Sequence, residues 1–144
     1  MKEIKLPQIG EIITVERGLE LCRYFGIDYL VKRLTEHPKD YNEFIFDGAS
    51  GIRDDLLGLL NDGEWELITN KAALPHDLKY AYGTLAKENS VRARKEKTQA
   101  DIDFENDCIS AGVSKENAAF LRKVVHIFGQ EWIKLPWSWG FAHK

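Results

Sequence analysis

Apolar residues return at helical spacing along most of the chain. From Val15 to about Glu36, Leu19, Cys22, Phe25, Leu30 and Leu34 mark one inward stripe, with Thr14 in position to cap it. Gly26 interrupts the stripe, so the segment reads either as one weakened helix or as two helices meeting near Ile27-Asp28. His37-Pro38 closes it, because a residue before proline is pushed out of the helical region. Tyr41 to Phe46 is strand-like and runs into a glycine-bearing loop, Asp47-Gly48-Ala49-Ser50-Gly51. Asp54 to Leu60 predicts a short helix ending at Asn61-Asp62-Gly63.

Three further helices are predicted. One carries Leu74 to Tyr82 and stops at Gly83, with Pro75 either starting or kinking it. The second covers about Thr98 to Ala111, with Gly112 just past its end. The third starts at the Ser114 cap and runs through Leu121, Val124, Val125 and Phe128 toward Trp132. Thr84 to Lys97 is polar throughout and reads as a connection or a frayed helix extension. No repeat or interdomain linker interrupts the 144 residues, so a single domain is expected, mainly α-helical. Helical segments over 1–38 and a C-terminal helix with an aromatic tail over 114–144 flank its middle.

Composition narrows the function classes only a little. Hydrophobic residues at 44% and charged residues at 30% are ordinary for a globular chain. A net charge of −3 gives no overall pull toward nucleic acid, and basic and aromatic residues are not interleaved, so no nucleic-acid partner is expected. The run Arg92-Ala-Arg94-Lys95-Glu-Lys97 reads as a solvated face or as a patch steering anionic lipid headgroups. The aromatic tail, Trp132, Trp137, Trp139 and Phe141, either seats the protein at a membrane interface or folds back on the core. Cys22 and Cys108 are too few for a disulfide framework and fit one bridge or two buried thiols. The first residues lack an apolar signal region, so synthesis in the cytoplasm is expected.

The candidate chemistry lies on the two middle helices. His76, Asp77 and Tyr80 stand at i, i+1 and i+4 and fall within one arc of about 100°. On the next helix Asp101 shares a stripe with Phe104, Cys108 and Ala111, which makes it a carboxylate on an inward face. A buried carboxylate needs a partner. Antiparallel helices would supply His76 or Tyr80. An imidazole held by a carboxylate can take a proton from water at neutral pH, and a second carboxylate beside it can hold a cation. The plain alternative is a structural hydrogen-bond cluster. His126, on an apolar helix face, reads as a core histidine; His37 and His143 read as surface residues, and no zinc spacing is present.

His76-Asp77-Leu78-Lys79-Tyr80 followed by Ala100-Asp101-Ile102-Asp103-Phe104 resembles the phospholipase A2 superfamily, whose pattern is an HDxxY helix and then a helix with an aspartate and an aromatic three residues on. The likeness is nearest to its disulfide-poor branches, the prokaryotic enzymes and the parvovirus capsid domain, and covers about residues 44 to 111. It implies a pair of antiparallel helices, with an irregular glycine-rich loop region and extra N-terminal helices. It implies calcium-dependent hydrolysis of glycerophospholipid esters at a membrane surface. His76 would activate water, Asp101 would orient His76, and Tyr80 would bond into the Asp101 network. Asp77 would bind calcium together with the loop of Gly48, Ser50 and Gly51. The family's cysteines are absent here, and the loop lies far upstream of the histidine and lacks the usual family sequence. The alternative implied by the same resemblance is a non-catalytic interaction protein of phage, toxin or effector type. Cytosolic calcium is scarce, so an active enzyme is expected to work outside the cell or in a target cell.

Overall fold

The structure is a computed structural model that describes residues 4–46, 62–131 and 138–144. The loop with Gly48, Ser50 and Gly51, the helix expected at Asp54 to Leu60, and Trp132 and Trp137 lie outside the described residues. What is described is mainly helical, with one small sheet.

Strand β1 (Ile12–Ile13) pairs antiparallel with β2 (Phe44–Ile45), Ile12 opposite Ile45 and Ile13 opposite Phe44. The strand-like stretch from Tyr41 is thus shorter than its pattern; Tyr41 itself bridges to His143. Between the strands lie α1 (Val15–Phe25) and α2 (Asp28–Glu36). Thr14 caps α1, its hydroxyl oxygen accepting the Arg17 N–H at 3.1 Å. Gly26 ends it at φ +71°, a left-handed turn that a side chain would resist. The apolar stripe therefore belongs to two helices, and Pro38 opens a single tight turn after the second.

The segment after residue 61 departs from its pattern. Asp62-Gly63 was expected to end a helix, yet α3 (Asp62–Ile68) begins there and buries Trp65 and Ile68. It passes through one widened turn, Thr69–Ala73, directly into α4 (Leu74–Ala81). The widening has a local reason. Pro75 has no N–H to offer the carbonyl four residues back, and the Leu74 N–H instead reaches Thr69 O, five residues back. Pro75 thus stands in the first turn of α4, as expected, although the chain enters that helix from the widened turn without a gap.

Helix α5 (Ser90–Ser110) starts eight residues before the expected Thr98. Asn89 caps it, accepting the Arg92 N–H at 3.0 Å, so residues 90–97 are helix rather than connection. Gly112, at φ +103°, closes α5. Ser114 caps α6 (Lys115–Phe128), which stops before Gly129.

Two main apolar clusters build the core, and the first of them takes in α4. Ile13, Leu21, Leu30, Leu34 and Phe44 from the N-terminal elements pack with Leu74, Leu78 and Tyr82. Trp65, Ile68 and Ala72 pack with Phe104, Leu121 and Val125. Cys22 belongs to the first cluster and Cys108 to the second, both as free buried thiols. Burial pushes each thiol up to about 12.

The end of the chain folds back. Trp139 N–H donates to Gly129 O at 2.9 Å, Gly140 N–H to Tyr80 O at 2.7 Å, and Ala142 N–H to Ala81 O at 3.2 Å. Trp139 is buried, and its indole N–H donates to Thr84 O at 2.7 Å. Gly83 permits this, since a Cβ there would collide with the Trp139 ring. His143, expected at the surface, is mostly buried: it packs on Tyr41 and its Nε2 lies 2.6 Å from Gly83 O. Among the described residues no helix is long and apolar enough to cross a membrane.

Candidate active site

Helices α4 and α5 run antiparallel. His76 meets Asp101 and Phe104, Lys79 meets Asp103, Tyr80 meets Asp101 and lies under Lys97, and Thr84 meets Glu96. As one number rises the other falls. The i, i+4 spacing of His76 and Tyr80 aims both at one carboxylate on the facing helix.

That carboxylate is Asp101, 1% exposed. Its Oδ1 lies 2.9 Å from His76 Nε2 and accepts the Tyr80 hydroxyl at 2.5 Å. A carboxylate can only accept, so His76 must carry its proton on Nε2 when the ring is neutral. That leaves Nδ1 as the basic nitrogen, and among the described residues no hydrogen bond reaches it. The imidazole stacks between Tyr80, at 4.1 Å between ring centres, and Phe104, at 4.7 Å.

The electrostatics follow from burial and partners. Burial disfavours the imidazolium and holds His76 below its ordinary value of 6.5, although Asp101 works in the other direction. Burial alone would raise Asp101, but the His76 hydrogen bond, Lys97 and Tyr80 outweigh it and hold Asp101 below the usual carboxylate range. Burial, then Asp101, pushes the Tyr80 hydroxyl well above its ordinary value. At neutral pH the cluster is therefore a neutral imidazole, a carboxylate and a neutral phenol.

Two members were missed in the sequence. Lys97 is 7% exposed, and its ammonium donates to Asp101 Oδ2 at 3.0 Å and to the His126 carbonyl at 3.0 Å. The solvated-face reading holds for Arg92, Arg94 and Lys95, which are exposed, and fails for Lys97. The available signal was the i, i+4 spacing to Asp101, hidden because the helix was expected to begin after Lys97. His126 is not the core histidine its neighbours suggested. Its side chain is 53% exposed, with Nδ1 3.3 Å from Asp101 Oδ2 and 3.4 Å from the Lys97 ammonium. In a neutral ring Nδ1 either donates to the carboxylate or accepts from the ammonium.

Asp77 sits beside His76 in the first turn of α4, half-buried. It offers calcium a hard oxygen donor of the right kind. The other three expected donors, Gly48, Ser50 and Gly51, lie outside the described residues. Among the described residues, no three or more His, Cys, Asp or Glu side chains form a metal-binding group. A site of one carboxylate and several backbone carbonyls is compatible with that.

No family model matches the chain, and neither a curated protein nor a solved structure does.

Proposed function

We propose that the chain is a phospholipase A2-like, calcium-dependent hydrolase of glycerophospholipid esters, with His76 as the base. One observation carries the reading: His76 Nε2 lies 2.9 Å from Asp101 Oδ1, both side chains buried, on antiparallel helices. The hydrogen bond fixes the tautomer and the ring orientation, which leaves Nδ1 to take a proton from water as that water attacks the ester carbonyl. The imidazolium then returns the proton to the departing alkoxide. Asp101 stays ionised and stabilises the transient charge, and Tyr80 holds Asp101 from the same side. Calcium, held by Asp77 with Gly48, Ser50 and Gly51, would supply polarisation of the carbonyl and stabilisation of the oxyanion. The substrate would be presented by a phospholipid surface, outside the cell or in a target cell.

The competing reading is a non-catalytic phospholipase A2-like interaction protein of phage, toxin or effector type. It is favoured by how fully Asp101 is satisfied, with a buried ammonium on its second oxygen, as a purely structural cluster requires.

Fatty acid release from mixed phospholipid vesicles, with calcium and with a chelator, separates the two. The hydrolase should be active only with calcium, and His76→Gln should lose about 10²–10⁴-fold while staying folded. Activity should rise with pH through a midpoint below 6.5, because only the neutral ring accepts a proton and burial lowers its ionisation. A wild-type protein that releases no fatty acid removes the enzyme reading.

A further inference from the structure

We propose that Lys97 is a positioning residue for His76, acting through Asp101: it pins the second carboxylate oxygen to α6 so that the first stays aimed at the imidazole. The idea needs the hydrolase reading only for its effect on rate; the effect on His76 itself stands apart from it.

A lysine this buried needs a reason. Helix propensity gives none, because an acid followed by a lysine four residues on is the favoured order and here the lysine comes first. Taking an ammonium out of water costs several kcal/mol unless its protons are matched. Lys97 matches them with three groups from three elements. The ammonium donates to Asp101 Oδ2 on its own helix at 3.0 Å and to the His126 carbonyl on α6 at 3.0 Å, and it lies 5.5 Å from the centre of the Tyr80 ring on α4. A carboxylate held only at Oδ1 can turn about its Cβ–Cγ bond. Held at Oδ2 as well, by a cation that is itself tied to backbone, it has one orientation. That orientation puts Oδ1 between His76 Nε2 and the Tyr80 hydroxyl. His126 lies against Oδ2 at 3.3 Å from the solvent side and is the weaker contributor.

The test reads the His76 ring directly. In the wild-type protein the Nε2 proton of His76 should give a downfield, slowly exchanging proton resonance, assigned by its loss in His76→Gln. In Lys97→Met that proton should exchange about tenfold faster or broaden beyond detection, since the bond opens locally. Lys97→Gln keeps a neutral donor, and it serves should the methionine variant fail to fold; its effect should be smaller and in the same direction. His126→Gln should change the resonance least. If vesicle hydrolysis is present, Lys97→Met should lower kcat and leave KM unchanged. A His76 resonance that is the same in both folded Lys97 variants overturns the proposal, whatever the activity. A resonance that responds in a protein without hydrolysis supports the positioning role and removes the enzyme reading instead.

Discussion

Arg33 and Glu96 face each other in a two-pronged ion pair, Nη1 3.0 Å from Oε1 and Nη2 2.9 Å from Oε2, which ties α2 to α5. Nη1 also donates to Tyr82 O at 2.7 Å, and Glu96 accepts both the N–H and the hydroxyl of Thr84. The pair thus holds the end of α4 against both neighbours. Glu96→Gln should lower stability by about 2–4 kcal/mol, because Arg33 keeps its charge with no counter-charge; residual solvent contact keeps the cost below that of a fully buried pair. Denaturant titration checks it. Arg33→Met with Glu96→Gln together should cost less than the two single losses added, since both disrupt one interaction.

Acid should weaken the fold in two stages. Burial holds His76 below its ordinary 6.5, so under pH 6.5 the unfolded chain binds a proton the native state does not. Stability falls there as pH falls. Asp101 and Glu96 would be raised by burial, but their hydrogen-bonded partners win and hold both low. Their contribution is present above their ordinary 3.8 and 4.5 and is lost as pH drops through the lower native values. Melting curves should therefore show a first loss beginning near pH 6.5 and a steeper one below about pH 4.5. His76→Gln should lack the first loss. An equal early loss in that variant would assign it elsewhere.

Local rules were the legible part of this chain. The caps at Thr14 and Ser114 and the stop at Gly112 are each decided by one or two residues, and each stands where the pattern put it; the turn at Gly26 settles the choice between one weakened helix and two in favour of two. The pairing of His76 with Asp101 was legible for a similar reason, because a carboxylate on an inward stripe demands a partner. What failed depended on neighbours the pattern cannot see. Residues 90–97 hold only Val91 and Ala93 as apolar positions, so no stripe announced those first turns of α5; Asn89 as a cap was the available sign. That error hid Lys97. His126 sits among Val124, Val125 and Ile127, yet the inward face of α6 passes through Ala118, Leu121 and Val125 and leaves it outside. Trp65 and Ile68 in α3 and Ala72 in the widened turn stand at helical spacing, but a helix ending at Asn61-Asp62-Gly63 left no place for another there, and the widened turn before Pro75 carries that helix on.

Gly83 and Trp139 give a test of how the end of the chain is held. A methyl group on residue 83 would overlap the indole ring, which is buried and bonded to Thr84 O. Gly83→Ala should cost about 1–3 kcal/mol, the usual range for overfilling a packed site. It should also displace Trp139 from the Tyr80 ring, now 5.0 Å away edge-on, and so change the near-ultraviolet circular dichroism. An unchanged spectrum and stability would mean that the ring has room the geometry does not give it.

Asp101 and Lys97 allow a reversal that a merely additive pair would not. Asp101→Asn keeps the shape but removes the negative charge that Lys97, His76 and Tyr80 all address. The ammonium is then left buried opposite a neutral amide, and the loss should be about 3–5 kcal/mol, as for other broken buried pairs. His76 can still meet the amide oxygen if it faces α4, but then the amide NH2 points at the lysine, and two donors oppose each other. Lys97→Met in the same chain removes both the stranded charge and that clash. The double variant should therefore be more stable than Asp101→Asn alone, by an amount on the order of 1–3 kcal/mol that a double-mutant cycle reads directly. The rescue should be confined to stability. Vesicle hydrolysis, if His76 is the base, should stay depressed in both variants, because neither has a carboxylate to stabilise the imidazolium. A double variant no more stable than Asp101→Asn would show that Lys97 does not depend on Asp101 for its burial, and the ammonium would then be held by the His126 carbonyl and the Tyr80 ring.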